Sequence, residues 1–133
     1  MGTFATIDEA RTYFKGDRFA TTNGMTIDEL SDGRAVCSMT IRDDHRNAHG
    51  GVMGGAIFTL ADFAFAVASN NDRENTTGLH SAIEYLSGAK GTRLIAEAVC
   101  MKSGRTTSVY EVTVTDDTGR KIALFIGTGF TVY

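Results

Sequence analysis

Apolar and polar residues alternate along much of the chain, and this pattern predicts strands. Within residues 106–115, Tyr110 and Val112 fall on one face, whereas Val109 and Glu111 fall on the other. A period of two residues is typical of a half-buried strand. This alternation, together with the turn residues that flank each segment, predicts strands over residues 25–30, 35–41, 76–86, 92–101, 106–115 and 120–132.

Turn-forming residues separate the last four predicted strands, at positions 87–91, 102–105 and 116–119. Short turns join antiparallel neighbours. We therefore predict that these four strands form an antiparallel meander in chain order. In the last of them, alternate positions place one set of mostly apolar residues on a single face: Ile122, Leu124, Ile126, Thr128, Phe130 and Val132.

A different pattern occupies residues 54–70, which are rich in Ala and Phe and contain one charged residue, Asp62. We predict a helix here, and because it has no polar face we expect it to be buried on all sides. A sheet wrapped around the helix would achieve this. The segment is short for a membrane span and carries an acid in its middle, which argues against one. A Thr6–Glu9 capping box predicts a second helix over residues 7–15.

Composition places the chain among ordinary globular proteins. Its 133 residues predict one domain, residues 1–133, in the α+β class. A net charge of −3 argues against a non-specific nucleic-acid binder on electrostatic grounds. Two cysteines are too few for a disulfide scaffold, which favours a reduced, cytoplasmic protein. His45 and His49 lack a third metal ligand in a suitable place, so we predict no metal site.

Asp62 is the first candidate for chemistry, because a carboxylate in an apolar helix is costly unless it is paired or reaches water. The alternatives are a structural Asp and a base or nucleophile at the mouth of a pocket. Gly54 and Gly55 are the second candidates, since they expose backbone N–H groups at the positive end of the helix dipole. They either stabilise an oxyanion or only permit close packing.

Eight residues separate Gly54 from Asp62, which is about 12 Å along a helix at about 1.5 Å per residue. One reacting carbonyl cannot lie about 3 Å from both groups. If both act on it, they come from two chains. The sequence therefore favours a two-fold dimer with a site between its subunits.

The segment 47–62, from Asn47 through His49-Gly50-Gly51 and Gly54-Gly55 to Thr59-Leu60-Ala61-Asp62, resembles the signature of hotdog-fold acyl-CoA thioesterases, with the phenylacetate-pathway branch nearest. The resemblance extends over most of the chain from about residue 17. It implies a hotdog fold, an antiparallel sheet wrapped around a long central helix. It also implies hydrolysis of an acyl-CoA to a carboxylic acid and CoA without a further cofactor, by a homodimer that commonly pairs into a homotetramer.

The resemblance also implies roles for individual residues. Asp62 corresponds to the catalytic carboxylate, Gly54 to the oxyanion donor, and Asn47 to a polar residue that places water or the carbonyl. Met53 departs from the family, which often has His before the Gly-Gly pair, and it shapes the pocket with Gly55 instead. Further candidates are two residues for the acyl pocket and three for the nucleotide phosphates: Phe58 and Phe63, then Lys90, Lys102 and Arg105.

Two other functions fit the same resemblance. A hotdog enoyl-CoA hydratase is disfavoured because Met53 stands where such enzymes need a histidine, and a methionine side chain cannot donate a hydrogen bond. A non-catalytic acyl-CoA-binding module predicts binding without turnover. Assays of hydration and of thiol release separate these alternatives from a thioesterase.

Overall fold

The computed structural model describes residues 2–133. Two short helices come first, and Thr6 caps the first one as predicted by accepting a hydrogen bond from the Glu9 N–H at 3.2 Å. Six strands and one long helix follow. In chain order the elements are α1 (Ile7–Phe14), α2 (Arg18–Thr22), β1 (Thr26–Ser31), β2 (Arg34–Thr40), a 3-10 turn (Asp43–His45), α3 (Gly54–Asp72), β3 (Thr76–Tyr85), β4 (Arg93–Ser103), β5 (Thr107–Asp116) and β6 (Lys121–Thr131).

All six strands form one antiparallel sheet in the order β1-β2-β4-β5-β6-β3. The predicted four-strand meander is therefore wrong for its first strand. Only β4, β5 and β6 follow one another in space, whereas β3 pairs with β6 and leaves its other side as a sheet edge. The second edge is β1.

The link between β3 and β4 is a crossover rather than a hairpin turn, because hydrogen bonds hold it against the β5–β6 hairpin. The backbone N–H groups of Lys90 and Gly91 both donate to Asp116 Oδ2, at 2.7 and 3.1 Å. The N–H of Thr92 donates to Asp117 Oδ1 at 2.9 Å. These bonds fix the loop across the β5–β6 turn and so separate β3 from β4. Hydrogen bonds to the Asp116 carboxylate, first from the Thr118 side chain, hold its pKa well below the ordinary value.

Helix α3 packs against all six strands and runs to Asp72, two residues beyond the predicted end. It is not buried on all sides, which corrects the sequence prediction. Gly55 and Asp62 are exposed, and Thr59 and Ala66 are half-buried. Their spacing of four, three and four residues defines one open stripe on the helix. Small side chains on this stripe gave the helix its uniformly apolar appearance, although the sheet covers only the opposite face.

Strand β5 alternates as predicted, with Tyr110 and Val112 fully buried against the helix side. Strand β6 alternates in the same way, but a bulge near its start turns Ile122 inward beside Ala123. Leu124 and every second residue after it remain on the outer face of the sheet, where Ile126 and Phe130 are exposed. Among residues 2–133, no helix is both long and apolar enough to span a membrane.

Candidate active site

The first turn of α3 presents two backbone donors that nothing in the described chain satisfies. Met53 is the N-cap residue, and its side chain makes no capping hydrogen bond. Within residues 2–133, the N–H groups of Gly54 and Gly55 have no acceptor. A helix start without a cap leaves positive partial charge on such groups. The two N–H groups can therefore bind an oxygen that develops negative charge.

Tyr85 holds this turn in place, a role that no pattern in the sequence indicates. Its hydroxyl donates to the Gly54 carbonyl oxygen at 2.8 Å. A Cβ on Gly54 would lie 3.1 Å from both Cζ and Oη of Tyr85, so the ring also explains why residue 54 is a glycine. Tyr85 ends β3 and is distant from Gly54 in sequence, so only the fold brings the two together. The hydrogen bond polarises the peptide whose N–H belongs to Gly55, because carbonyl and N–H of one peptide unit respond together.

Asp62 lies on the open stripe of α3, two turns after Gly55. It is exposed in the single chain and has no hydrogen-bonded partner among residues 2–133. Partial removal of water from its carboxyl group raises the pKa of Asp62, and the negative charge of Asp17 adds to the effect. A carboxylate with a raised pKa and free oxygens can take a proton or attack an electrophile.

Gly54 and Asp62 lie on one uninterrupted helix, so the separation of about 12 Å expected from about 1.5 Å per residue applies within a chain. The Gly54 N–H lies at the open start of the helix, and Asp62 lies on the exposed stripe of its side. A single chain therefore offers two half-sites.

Asn47 organises the loop before the helix. Its Oδ1 accepts hydrogen bonds from the N–H groups of His49 at 3.0 Å and Gly51 at 3.2 Å. Its backbone N–H donates to the Gly51 carbonyl at 2.8 Å. The hydrogen bonds from His49 and Gly51 both use the amide oxygen of Asn47, so only its side-chain NH₂ group remains to contact a substrate or a water molecule.

Of the predicted pocket residues, Phe58 and Phe63 pack against other aromatic rings, whereas Met53 lies at the surface. Phe58 packs edge-on against Phe125, with ring centroids 5.3 Å apart, and is half-buried. Phe63 packs edge-on against Phe14 at 5.8 Å and also lines a cavity of about 210 Å³ between α1, α2 and β1. Met53 is exposed and, with Gly55, lines a separate cavity of about 320 Å³.

Comparison with known proteins identifies the family. Residues 49–123 match the model of the thioesterase superfamily. The chain belongs to the thioesterase superfamily. The match begins in the loop that is hydrogen-bonded to Asn47. It continues through the helix with Gly54 and Asp62 and through strands β3 to β5, and it ends at the start of β6. This thioesterase has the hotdog fold, as the resemblance implied.

Individual relatives agree. A protein of Archaeoglobus fulgidus described as a putative esterase is 34% identical over 120 residues, covering 90% of this chain and 78% of its own. The acyl-coenzyme A thioesterase PaaI of Escherichia coli is 32% identical over 119 residues, covering 89% and 85%. The structure of the E. coli PaaI protein superposes with a TM-score of 0.87 at 28% identity, covering 93% of this chain and 91% of that one. The enzyme is a thioester hydrolase of the PaaI type.

Three basic residues of this thioesterase were predicted to bind nucleotide phosphates. Lys90 lies in the crossover loop before β4, and Lys102 and Arg105 lie at the opposite end of that strand. An intervening strand at about 3.3 Å per residue separates them by about 30 Å. A single subunit therefore has Lys90 near one end of β4 and the basic pair Lys102 and Arg105 near the other end.

No three His, Cys, Asp or Glu side chains in the described part of the thioesterase are grouped as metal ligands. His45, which the sequence placed only among weak metal candidates, is instead buried beneath the start of α3. Its backbone carbonyl accepts the Met53 N–H at 2.8 Å. Its burial could not be read from the sequence, because a histidine between charged residues is usually exposed.

Proposed function

We propose that this protein hydrolyses acyl-CoA thioesters to a free carboxylic acid and CoA. Its relatives include a protein named acyl-coenzyme A thioesterase. The observation that carries the proposal is a pair of unsatisfied N–H donors, Gly54 and Gly55, at the start of the helix that also exposes the unpaired Asp62. Donors for an oxyanion and a carboxylate for proton transfer or attack are the two parts that acyl transfer needs.

In the proposed reaction, the Gly54 N–H binds the thioester carbonyl oxygen as negative charge develops on it. Asp62 of the other subunit removes a proton from water, whose oxygen attacks the carbonyl carbon. The C–S bond then breaks, and the proton passes to the departing CoA thiolate. In the second route, Asp62 attacks the carbon itself, the C–S bond breaks as the CoA thiolate leaves and takes a proton from water, and hydroxide or water then hydrolyses the resulting anhydride. Both routes use the same residues and no further cofactor. The NH₂ group of Asn47 donates to the water or to the carbonyl.

We further propose a homodimer in which the open stripes of two α3 helices face each other. The stripe of small residues on each helix permits close approach, and β3 provides a free edge for sheet pairing. Such a dimer brings Gly54 of one subunit to Asp62 of the other, twice. Outer-face residues such as Ile126 and Phe130 supply an apolar surface for pairing dimers into a tetramer. A cytoplasmic location stays a prediction.

Substrate contacts follow from this arrangement. The acyl group is placed in the cavity that Met53 and Gly55 line, whereas Phe58 and Phe63 support this pocket from the inner side of the same helix by packing against Phe125 and Phe14. Lys90 of one subunit and the Lys102–Arg105 pair of another bind CoA phosphates, because a dimer can bring opposite ends of two sheets to one site. An assay of thiol release across aryl, short-chain and medium-chain acyl-CoAs tests the function. We expect turnover with at least one class. Binding of these thioesters without thiol release would contradict hydrolysis and favour a binding module.

Mixing two inactive variants tests the shared site. Gly54→Pro removes the oxyanion N–H, and Asp62→Asn removes the carboxylate. A mixed dimer contains one intact site, made from Gly54 of the D62N chain and Asp62 of the G54P chain. We expect random reassortment after mild denaturation to restore about a quarter of wild-type activity, since half of the dimers are mixed and each has one of two sites. Sites confined to single chains predict no recovery.

A further inference from the structure

A second cavity, of about 210 Å³, lies between α1, α2 and β1 and is separate from the acyl cavity, which Met53 and Gly55 line. Its walls are mainly the buried side chains of Phe14, Met25, Ile27 and Phe63. An apolar cavity of about 150 Å³ is large enough to bind benzene. The second cavity therefore has room for one aromatic ring or a short hydrocarbon chain, and the proposed reaction gives it no role.

Arg11 and Lys15 bring positive charge to the second cavity. Arg11 lies in the last turn of α1 and Lys15 is its C-cap residue, so a spacing of four residues places them on one face of the helix. Both are exposed, whereas the apolar walls are buried, so the charges stand at the mouth of the cavity. The described residues that line the cavity include no acid. Such a cavity is complementary to a molecule with an apolar body and a negative end.

Several donors of these two cations are unused. Within residues 2–133, the Lys15 ammonium makes no hydrogen bond or ion pair. The Arg11 Nε donates to the Ile27 carbonyl oxygen at 3.0 Å, which fixes the guanidinium beside the cavity wall. Its Nη1 contacts Asp8 Oδ1 at 3.2 Å, but the Asp8 side chain is 85% exposed and water screens the pair. The Arg11 Nη2 has no partner in the described chain, so both cations can donate to a ligand.

The hydroxyl groups of Thr21 and Thr26, which also line the cavity, are already engaged. Thr21 Oγ1 donates to the Asp17 carbonyl oxygen at 2.8 Å, and Thr26 Oγ1 donates to Asp28 Oδ1 at 3.0 Å. A neutral ligand group therefore finds no free hydroxyl hydrogen at this site. An anionic group finds free N–H donors that carry positive charge, and such hydrogen bonds are the stronger kind.

We propose that the second cavity binds a small apolar monocarboxylate, with its hydrocarbon part against the buried walls and its carboxylate between Arg11 and Lys15. A guanidinium and an ammonium together can donate to both carboxylate oxygens. A free acid of this kind is the product of the proposed hydrolysis, so the identity of the ligand as product rests on the proposed function, whereas the binding site does not. Phe63 directly follows Asp62 in α3, so the released acid is held beside the helix of Asp62 but outside the acyl cavity.

Methyl NMR separates the two cavities, because Ile27 lines the second cavity and Met53 lines the acyl cavity. The wild-type protein, ¹³C-labelled at its Ile and Met methyl groups, is titrated near neutral pH with benzoate and hexanoate, with the corresponding amides, and with inorganic phosphate. We expect the acids to shift the Ile27 methyl signal and to bind about 3–10-fold more tightly than their amides, as hydrogen bonds to partly exposed cations provide. Phosphate, which has no apolar part, should leave the Ile27 signal unshifted.

Substitutions at the mouth of the cavity test the two cations. Lys15→Gln should weaken the binding of each acid by about threefold and leave the amides unchanged. The double variant Arg11→Gln, Lys15→Gln should bring the affinities of acid and amide to about the same value, and continued binding of the amide shows that the cavity is intact. Lys121→Gln is the matched control, because it removes the same charge from the exposed start of β6 and should change neither affinity. Unchanged binding of the acids in the double variant would contradict the proposal.

A bound thioester shows whether the site is separate from the acyl cavity. In the Asp62→Asn protein saturated with hexanoyl-CoA, hexanoate should still shift the Ile27 signal with unchanged affinity. Displacement of hexanoate by the thioester would overturn the second site and make this cavity the acyl pocket. Equal affinity for acids and amides, an Ile27 shift with phosphate, or no Ile27 shift with any acid would overturn it as well. Absence of thiol release in the wild type contradicts the thioesterase function instead and leaves these binding results as they stand.

Discussion

Replacement of Asp62 by Asn is expected to lower kcat by about 10²–10⁴-fold, the contribution typical of a positioned acid or base. Asparagine has the same shape but cannot accept the proton or attack as a carboxylate. Because Asp62 is exposed and has no partner within the described chain, the substitution removes no structural contact. Steady-state thiol release measures the effect, and an unchanged thermal melting temperature confirms that the fold is intact. Turnover within threefold of wild type would remove Asp62 from the mechanism.

The pH profile gives an independent check on the same carboxylate. Only the ionised form of Asp62 can act, so kcat/KM should fall as the pH decreases through its pKa. Partial removal of water from the carboxyl group, together with the charge of Asp17, raises the pKa of Asp62, so this acid limb lies above the value of about 3.9 for an ordinary aspartate. Asp17→Asn is the matched control. Asn caps α2 as Asp does, and removal of the charge should move the acid limb to lower pH.

Gly54→Pro is expected to lower kcat by about 10²–10³-fold, the loss seen when one oxyanion donor is removed. Proline lacks the N–H, yet it is favoured at the first position of a helix. Met53 already has φ −60° and ψ 134°, a conformation that a following proline accepts. The substitution therefore removes the proposed donor while preserving the helix start.

Gly54→Ala controls for the added side chain. Its Cβ meets Tyr85 at 3.1 Å, as the proline Cβ does, but the N–H remains. The difference in kcat between the alanine and proline variants isolates the N–H from the displacement of Tyr85. If alanine and proline reduce kcat equally, the oxyanion role of this N–H is refuted and the glycine serves the close approach of Tyr85.

The central helix was predictable because its signals are local. A run of Ala and Phe without proline, opened by two glycines, predicts a helix within two residues of its observed end. Which face remained open was not predictable. Gly55, Thr59 and Ala66 are small, so hydropathy did not distinguish the uncovered stripe from the buried faces.

Strand positions were predictable, but strand partners were not. The turn residues at 87–91 look like those of a hairpin, and nothing local distinguishes a hairpin from a crossover. The decision depends on Asp116, whose carboxylate is buried and accepts hydrogen bonds from a loop distant in sequence. A helix motif makes Asp62 and Gly54 candidates for the site, and this stays a prediction, whereas the contacts of Tyr85 and His45 arise only in the fold.

The pairing of β3 with the C-terminal strand has a consequence for biosynthesis. The helix with Gly54 and Asp62 leaves the ribosome well before β6, yet Tyr85 has no neighbouring strand in the sheet until β6 is in place. Closing such a long loop is entropically costly, so this strand pair joins late. A nascent chain thus braces the proposed oxyanion donors with Tyr85 only after β6 has been synthesised.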